Sequence, residues 1–356
     1  MKKLIVLSSI IIAGLSACHK ANESGSSGAV DFVTLEGEVI NDFTNNVVYF
    51  RYVSLVHSAE EMQTSVNNLV AETSDANLAD ARAKWKAMRA DWEQSEGFLM
   101  GPVESNDYDP NTDTWPTDYV QMDSLLASAN PLTTDEVKNL SQSLRGYHPL
   151  EYMIWGKGGS KTAAGITARQ KTFMTSLIDD LLENNVQALF NDWFLGSSNY
   201  KEQVVTAGQG STEFSTRQAL FLNIVSAMSD ICGEVGSGKM YEPFVARDST
   251  ITESPYSSNT LVDFKNNIVG LQQVYLGLNG GKGIHNLVAA RQLDLDQKIQ
   301  AHINAALNSF DQITVRYEEA IFSQRTQVQN TMDQLEALND LLENDLKNFI
   351  ITNVRD

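Results

Sequence analysis

Cysteine is nearly absent from this chain. Only two of its 356 residues are cysteines, Cys18 and Cys232. Cys18 falls at the end of an apolar leader, so no intramolecular disulfide is predicted, although an exported chain would permit one. Cys232 lies in an apolar run and is predicted to belong to the core.

Basic side chains are also scarce. The chain has 26 Lys and Arg against 45 Asp and Glu, a formal net charge of −19. Nucleic-acid binding through neutralised phosphates is therefore excluded as a function. Such a charge favours metal ions and cationic partners, or simply keeps the protein soluble at a cell surface.

Long apolar runs and strand-like alternation are missing too. No alternating segment longer than five residues suggests a strand, and apolar residues recur at helical spacing nearly throughout. We therefore expect an all-α protein with two helical-bundle domains, residues 36–200 and 201–356, the boundary falling near 196–210. Each half has a long helix, an irregular proline-bearing loop and a helical hairpin, a parallel that favours duplication. Residues 106–116 are expected as a loop, a capping box at 133–136 predicts a helix that ends near residue 146, and residues 239–258 are expected to be irregular.

The N-terminus carries an export signal. Lys2 and Lys3 precede an apolar run, residues 4–15, that is too short to span a membrane as a permanent helix. Leu15-Ser-Ala-Cys18 has the form of a lipobox, so we expect a lipoprotein signal peptide (1–17), a lipid on Cys18 and a flexible tether (18–35). This predicts a lipid-anchored protein of the bacterial cell envelope, on the periplasmic face or the cell surface, with the outer membrane favoured. The alternative is an ordinary signal peptide cleaved elsewhere.

One of only five histidines stands in the segment 145–156. Pro149 suits the first turn of a helix, where a missing N–H costs nothing. The i, i+3 spacing then places His148 and Glu151 on one side of that helix. An imidazole and a carboxylate converging there supply half of a metal site for zinc or iron. Alternatively, His148 caps the helix and Glu151 reaches back to it, as in a capping box.

The wider pattern Gly-x-His-x-x-Glu, followed by an aromatic residue and Trp-Gly, resembles the signature of the imelysin family, also known as imelysin peptidases or imelysin-like iron-regulated proteins. Further segments agree with that family in the same order along the chain: 85–98 with Gly101-Pro102, 113–120, 253–257, 263–267 and 274–277. The resemblance spans roughly residues 40–350 and implies a duplicated helical bundle.

The resemblance also implies further ligands. Glu96 matches the early glutamate of the family and becomes the third ligand, whereas taken alone it would be a solvated carboxylate at a helix end. Asp118, after Trp115-Pro116, is a candidate fourth ligand or a partner that holds an imidazole N–H. Arg89 lies two helical turns before Glu96 and is placed to pair with a site carboxylate.

A second polar group lies in the second half. Glu253, Ser254, Ser257 and Asp263 are predicted to form a cluster near the domain junction. The alternative is that these residues serve helix capping, since Asp263 is a natural first-turn residue. Four tryptophans are expected to be core residues that also keep the walls of the site dry: Trp85, Trp92, Trp115 and Trp155.

The predicted function is iron uptake. Imidazole with carboxylates suits iron, with zinc possible, and the resemblance implies iron regulation and a relation to iron-uptake components. Two alternatives stand. One is a metallopeptidase, because the family is also called imelysin peptidases. The inverted zinc motif His-x-x-Glu-His is incomplete here, however, since Tyr152 occupies the place of its second histidine. A surface module that binds a partner without metal is the third hypothesis.

Overall fold

The computed structural model describes residues 31–197 and 199–355, and every regular element in these ranges is a helix. The expected all-α class is confirmed. The first half contains the α-helices α1 (Phe32–Asp42), α2 (Tyr49–Ala71), α3 (Asp75–Ser95), α4 (Pro102–Ser105), α5 (Tyr108–Asp113), α6 (Tyr119–Ala127), α7 (Thr134–Val137), α8 (Tyr147–Trp155), α9 (Ala168–Asp180), α10 (Gln187–Phe194) and α11 (Tyr200–Val205). The second half contains α12 (Arg217–Gly233), α13 (Tyr241–Ala246), α14 (Thr260–Leu276), α15 (Ile284–Arg291), α16 (Leu293–Phe310), α17 (Tyr317–Ser323), α18 (Arg325–Asp340) and α19 (Lys347–Asn353).

Short 3₁₀ and π segments complete the helices. The 3₁₀ turns are Glu96–Phe98, Gln142–Leu144, Ala163–Gly165 and Ser249–Ile251. The π segments join successive α-helices into long rods and are Phe43–Val48, Leu181–Val186, Glu234–Lys239 and Leu341–Leu346. Such π turns are rare and often lie at functional positions. One rod, Arg217–Ala246, is long and apolar enough to cross a membrane, but 61% of its most apolar stretch is buried inside the protein, as in a core helix.

The two halves share a local repeat. Asp-Leu-Leu-Glu-Asn occurs at 180–184 and again at 340–344, and in both places the π segment begins at the first leucine. The same sequence thus forms the same irregular turn in the last long rod of each half. This repeat supports the duplication, which stays a prediction, as do the domain bounds.

Helices α3 and α14 bring the halves together. A Cβ built on Gly97, just after α3, would lie 2.6 Å from the carbonyl carbon of Gly270 in α14. A Cβ on Gly270 would in turn meet the backbone of Gln94. Only glycine permits this backbone approach. The polar faces of α3 and α14 therefore meet in the middle of the molecule.

Three local predictions were wrong. Residues 106–116, expected as a loop, contain α5, which tolerates Pro110 because the first turn of a helix needs no N–H donor. The helix expected from 133 to about 146 stops after α7, because buried Arg145 takes the carbonyl of Lys138 at 2.9 Å and folds the chain back. The irregular segment expected over 239–258 includes α13 and a 3₁₀ turn.

Candidate metal centre

Nine ionisable side chains meet where the two halves join, and none is more than 7% exposed. We call this group the acidic cluster. The first half contributes Arg89, Glu93, Glu96, Asp113, His148 and Glu151, and the second half contributes Lys239, Glu253 and Asp263. Six carboxylates therefore face two permanent cations and one imidazole. Buried charges of this kind are kept only when they are paired or bind a metal.

His148 is fixed at the start of α8. The N-cap is Gly146, with φ of 83°, and a Cβ there would strike the carbonyl oxygen of Thr112. This contact brings the end of α5 against α8, so His148 Nε2 lies 3.0 Å from Asp113 Oδ1. His148 Nδ1 lies 3.5 Å from Glu151 Oε2. Burial lowers the pKa of His148, but the two carboxylates outweigh it and raise that pKa to about 9.

Glu151 links the two halves. Its Oε1 accepts the backbone N–H of Tyr256 at 3.1 Å and of Ser257 at 2.6 Å. Its Oε2 has no hydrogen bond and faces His148. The expected i, i+3 pairing is therefore present, but one oxygen is committed to a loop of the second half. Glu151 is thus positioned to orient the imidazole and to hold that loop, and neither residue caps α8.

Arg89 lies at the centre of the cluster. Its guanidinium pairs with Asp113 and Glu93, lies 3.6 Å from Glu253, and stacks 4.9 Å from the ring centroid of Tyr147. Burial alone would raise the pKa of Asp113, but Arg89 and the adjacent imidazole of His148 hold it well below its usual range. Asp113 therefore remains a carboxylate and connects the guanidinium to the imidazole.

Glu96 occupies the other side of Asp113. The indole N–H of Trp92 donates to Glu96 Oε1 at 3.0 Å and to Asp113 Oδ2 at 2.9 Å. The amide of Asn267, from α14, donates to Glu96 Oε2 and Glu93 Oε2, each at 2.5 Å. Burial raises the pKa values of Glu93 and Glu96 well above their usual range. Both carboxylates therefore gain from a cation placed between them.

The residues predicted as a second polar cluster join the first. Ser254 Oγ donates to Asp263 Oδ2 at 2.6 Å, and Asp263 Oδ1 lies 3.9 Å from Arg89 Nε. Ser257 reaches the site through its backbone N–H to Glu151. Glu253 Oε1 lies 2.8 Å from Lys239 Nζ. Burial raises the pKa of Asp263 to about 7. Asp263 also lies in the first turn of α14, as the capping alternative expects, and its Oδ1 accepts a hydrogen bond from the side chain of the N-cap residue Asn259 at 2.6 Å.

Asp118 and Trp115 lie at the edge of this arrangement. Asp118 is half-buried and caps α6 by accepting the N–H of Gln121 at 2.9 Å. It lines the same cavity as His148 without a hydrogen bond or ion pair to it. Trp115 donates to the carbonyl of Ile251 at 3.3 Å. Asp118 thus lines the approach to His148, whereas Trp115 lines the cavity beside Lys239.

Sequence reasoning missed Glu93, Asp113 and Lys239 as site residues. Glu93 follows Arg89 by one helical turn, which is a signal for an ion pair. Asp113 stands two residues before Trp115 inside a segment that resembles the family. Lys239 had no signal, because its place in the cluster depends on a π turn that sequence patterns do not reveal.

Two cavities lead to the cluster. The larger, about 450 Å³, is lined by residues 116–120, 250–253 and 255–256 with His148 and Ser143. The smaller, about 190 Å³, is lined by Glu96, Asp109, Asp113, Glu234 and Lys239 among others, and we call it the acidic mouth. Burial and the neighbouring Asp113 raise the pKa of Asp109 to about 7.

The donor set fits a metal ion. One oxygen each from Glu93, Glu96 and Asp113 lies within 4.8 Å of the others, and His148 adjoins Asp113. Both nitrogens of His148 and Oε2 of Glu253 are buried without a well-aligned hydrogen bond among the described residues, although His148 Nε2 lies 3.0 Å from Asp113 Oδ1. Buried polar atoms without aligned partners are costly, and a cation bound by the neighbouring carboxylates offsets part of that cost. The fold and site thus define an all-α protein with a buried cluster of six carboxylates, two permanent cations and one imidazole between its two halves.

The comparisons place the chain in a family. The imelysin family model matches residues 48–344, so this chain belongs to the imelysin family. It is 29% identical over 245 residues to an iron-regulated protein A of Synechococcus elongatus, a match that covers 68% of this chain and 65% of that protein, slightly under two thirds of its length.

Two solved structures share the fold. One is described as a precursor of an iron-regulated protein A from Parabacteroides distasonis, with a TM-score of 0.83, 22% identity, and coverage of 92% of this chain and 97% of that chain. The other is an imelysin-like protein from Psychrobacter arcticum, with a TM-score of 0.68, 13% identity, and coverage of 88% and 94%. At these identities the likeness establishes the all-α fold alone.

Proposed function

We propose that this chain is a lipid-anchored envelope protein that binds an iron ion in the acidic cluster, as part of iron uptake. The observation that carries the proposal is that six buried carboxylates face two permanent cations. Beside them lies a histidine whose nitrogens have no well-aligned hydrogen bond among the described residues. Imidazole with carboxylates suits iron, with zinc as the alternative metal. The Synechococcus relative is named for iron regulation, which supports the same assignment.

The ligand set that we propose differs from the one expected from the sequence. Glu96, Asp113 and His148 are the ligands, and Glu93 lies beside them. Glu151 holds the imidazole from its Nδ1 side, as carboxylates commonly do for metal-binding histidines. Asp118 is proposed to line the approach rather than to bind the ion.

A titration of the full chain in detergent tests this proposal. Iron(II) is added without oxygen, and binding is followed by calorimetry and by metal analysis, with zinc(II) in a parallel series. Asp113→Asn removes the charge shared by Arg89 and His148, and we expect at least a tenfold loss of affinity. The matched control is Asp123→Asn, because Asp123 is an exposed carboxylate near α8 whose one hydrogen-bond donor among the described residues is the hydroxyl of Tyr152, at 3.1 Å.

The outcomes separate the hypotheses. If Asp113→Asn and Asp123→Asn bind iron(II) with equal affinity, the metal binds outside the acidic cluster. If the unaltered protein binds no metal, the hypothesis of a surface module that binds a partner without metal is favoured. If zinc(II) binds more tightly than iron(II), zinc replaces iron as the proposed metal. His148→Gln serves as a second variant, and circular dichroism checks that every variant is folded.

The peptidase hypothesis gains no support from the geometry. Tyr152 points its hydroxyl at Asp123, and Glu151 has one oxygen bound to two backbone amides. A hydrolytic site needs a general base apart from its ligands, and Glu151 is not placed to serve as both. Cleavage of a denatured protein by the zinc-loaded chain, absent in His148→Ala, would reverse this ranking.

The anchor is a separate part of the proposal. Cys18 and the signal segment lie outside the described residues, so the lipobox alone supports them. Cys18→Ser is expected to release the protein from the membrane fraction or leave it unprocessed, and to abolish labelling by radioactive palmitate. A parent protein that takes up no palmitate would contradict the lipid anchor.

A further inference from the structure

Lys239 is a buried ammonium among carboxylates. It is 3% exposed, and its Nζ lies 2.8 Å from Glu253 Oε1, 3.3 Å from Glu234 Oε1 and 3.6 Å from Glu96 Oε2. The indole of Trp115 lies below it, with the ring centroid 5.4 Å from Nζ. Lysine is almost never fully buried unless it is paired. Here it is paired with Glu96, which is also a proposed metal ligand.

We infer that Lys239 is a built-in competitor for the metal, which fills part of the cation site and leaves it when a multivalent ion arrives through the acidic mouth. This inference rests on the proposed function. An ammonium and a metal ion repel each other and cannot both hold Glu96 Oε2 at close range. The site would therefore reject monovalent ions, which gain too little to displace an ammonium already bonded to the carboxylates.

The acidic mouth provides space into which the side chain of Lys239 can move. Glu234 lines this cavity, its side chain is 49% exposed, and it is already within 3.3 Å of Nζ. A rotation of the flexible lysine stem toward Glu234 keeps one ion pair and carries the ammonium toward solvent. Asp109 also lines this cavity and adds a further carboxylate along the route of the incoming ion.

The other cation of the cluster is not free to move in this way. The guanidinium of Arg89 is fully buried, bonds to Asp113 and Glu93, and stacks on the ring of Tyr147. These contacts fix the planar guanidinium of Arg89 both at its edges and over its face. Lys239 in contrast lies at the end of the π segment Glu234–Lys239, an irregular turn of the kind that often marks functional positions. The exchangeable cation is therefore the lysine.

Two measurements on the full chain in detergent test the inference, with iron(II) alone as the probe. In the first, Lys239→Met is compared with Lys298→Met, because Lys298 forms an exposed ion pair with Asp345 and its loss changes the net charge equally. We expect Lys239→Met to bind iron(II) at least tenfold more tightly than the parent, and Lys298→Met to bind within about twofold of it.

The second measurement uses the unaltered protein, so it holds even if Lys239→Met fails to fold. Lysines are acetylated briefly with acetic anhydride, with and without iron(II), and quantified by mass spectrometry. Lys239 should be protected in the metal-free protein and at least fivefold more reactive with metal, while Lys298 stays constant.

The outcomes keep the two proposals apart. If the parent binds iron(II) but Lys239 reactivity does not rise, or the folded Lys239→Met binds no more tightly than Lys298→Met, the competitor role is wrong and the metal site stands. If neither the parent nor Lys239→Met binds iron(II), both proposals are overturned.

Discussion

The glycine contact between α3 and α14 gives the sharpest test of how the halves are joined. In Gly270→Ala, the new methyl carbon would lie 2.9 Å from the carbonyl carbon and 3.0 Å from the Cα of Gln94. Both are backbone atoms, so relief requires a helix to shift. Gly37 in α1 is the matched control, because its Cβ would meet only the guanidinium of Arg217, at 3.5 Å.

The same substitution should therefore have opposite effects at the two positions. Alanine in a helix interior is better than glycine by about 1 kcal/mol, so Gly37→Ala should stabilise the fold by about that amount. At Gly270 this gain is opposed by overpacking, which costs typically about 1–3 kcal/mol, and two rigid backbones favour the upper part of that range. We expect a net loss of about 1–2 kcal/mol for Gly270→Ala.

Thermal and urea unfolding of the full chain measure both effects. For domains of this size about 1 kcal/mol corresponds to roughly 2–4 °C in Tm, so the two variants should lie on opposite sides of the parent. Gly270→Ala should also weaken metal binding, because α3 carries Glu96 and α14 carries Asn267. Equal stabilisation by both substitutions would refute the close contact between the halves.

Three further predictions concern buried charge and the thiol. Asp180→Asn should lower the free energy of unfolding by about 3 kcal/mol or more, measured in urea, because it leaves buried Arg145 without the carboxylate that it bonds at 2.8 and 3.0 Å. In the metal-free protein, the free energy of unfolding should fall between about pH 6.5 and 9. The pKa of His148 is raised in the folded state, so its stabilising contribution is complete below the unfolded-state pKa and is lost as the pH rises through the folded-state pKa of about 9. His148→Gln should flatten that fall, and an unchanged slope would contradict the pairing of His148 with Asp113. Burial raises the pKa of Cys232 to about 12, so this thiol should react with a disulfide reagent only after unfolding, and rapid reaction in native buffer would show that its burial is wrong.

Part of the candidate site could be predicted from the sequence. His148 and Glu151 were found because helical spacing relates residues one turn apart, and that relation survives in α8. The partner of the imidazole, Asp113, was not found, because it reaches His148 only through the contact of Gly146 with Thr112. Spacing along one helix carries no information about which other helix crosses it.

The second half shows the same division. Glu253, Ser254, Ser257 and Asp263 were predicted to cluster, and they do lie together. Their contact with the first-half residues was not predicted, since it depends on the packing of α3 against α14, which brings Arg89 close to Asp263. The expected helix after Thr133 failed for a similar reason: Thr133 accepts the N–H of Glu136 as a cap should, but distant tertiary bonds end the helix early.

By itself, the sequence determined the all-α class and the amphipathic rods, and it predicts an export signal outside the described residues, because these features depend on periodicity, composition and short local motifs. The tertiary structure alone decided that the polar face of α3 meets that of α14, which glycines at 97 and 270 permit. It also decided that Lys239 enters the cluster from a π turn. The charge balance of the centre therefore depends on both halves, since Glu96 and Lys239, which are 143 residues apart in sequence, come together only after the halves have packed.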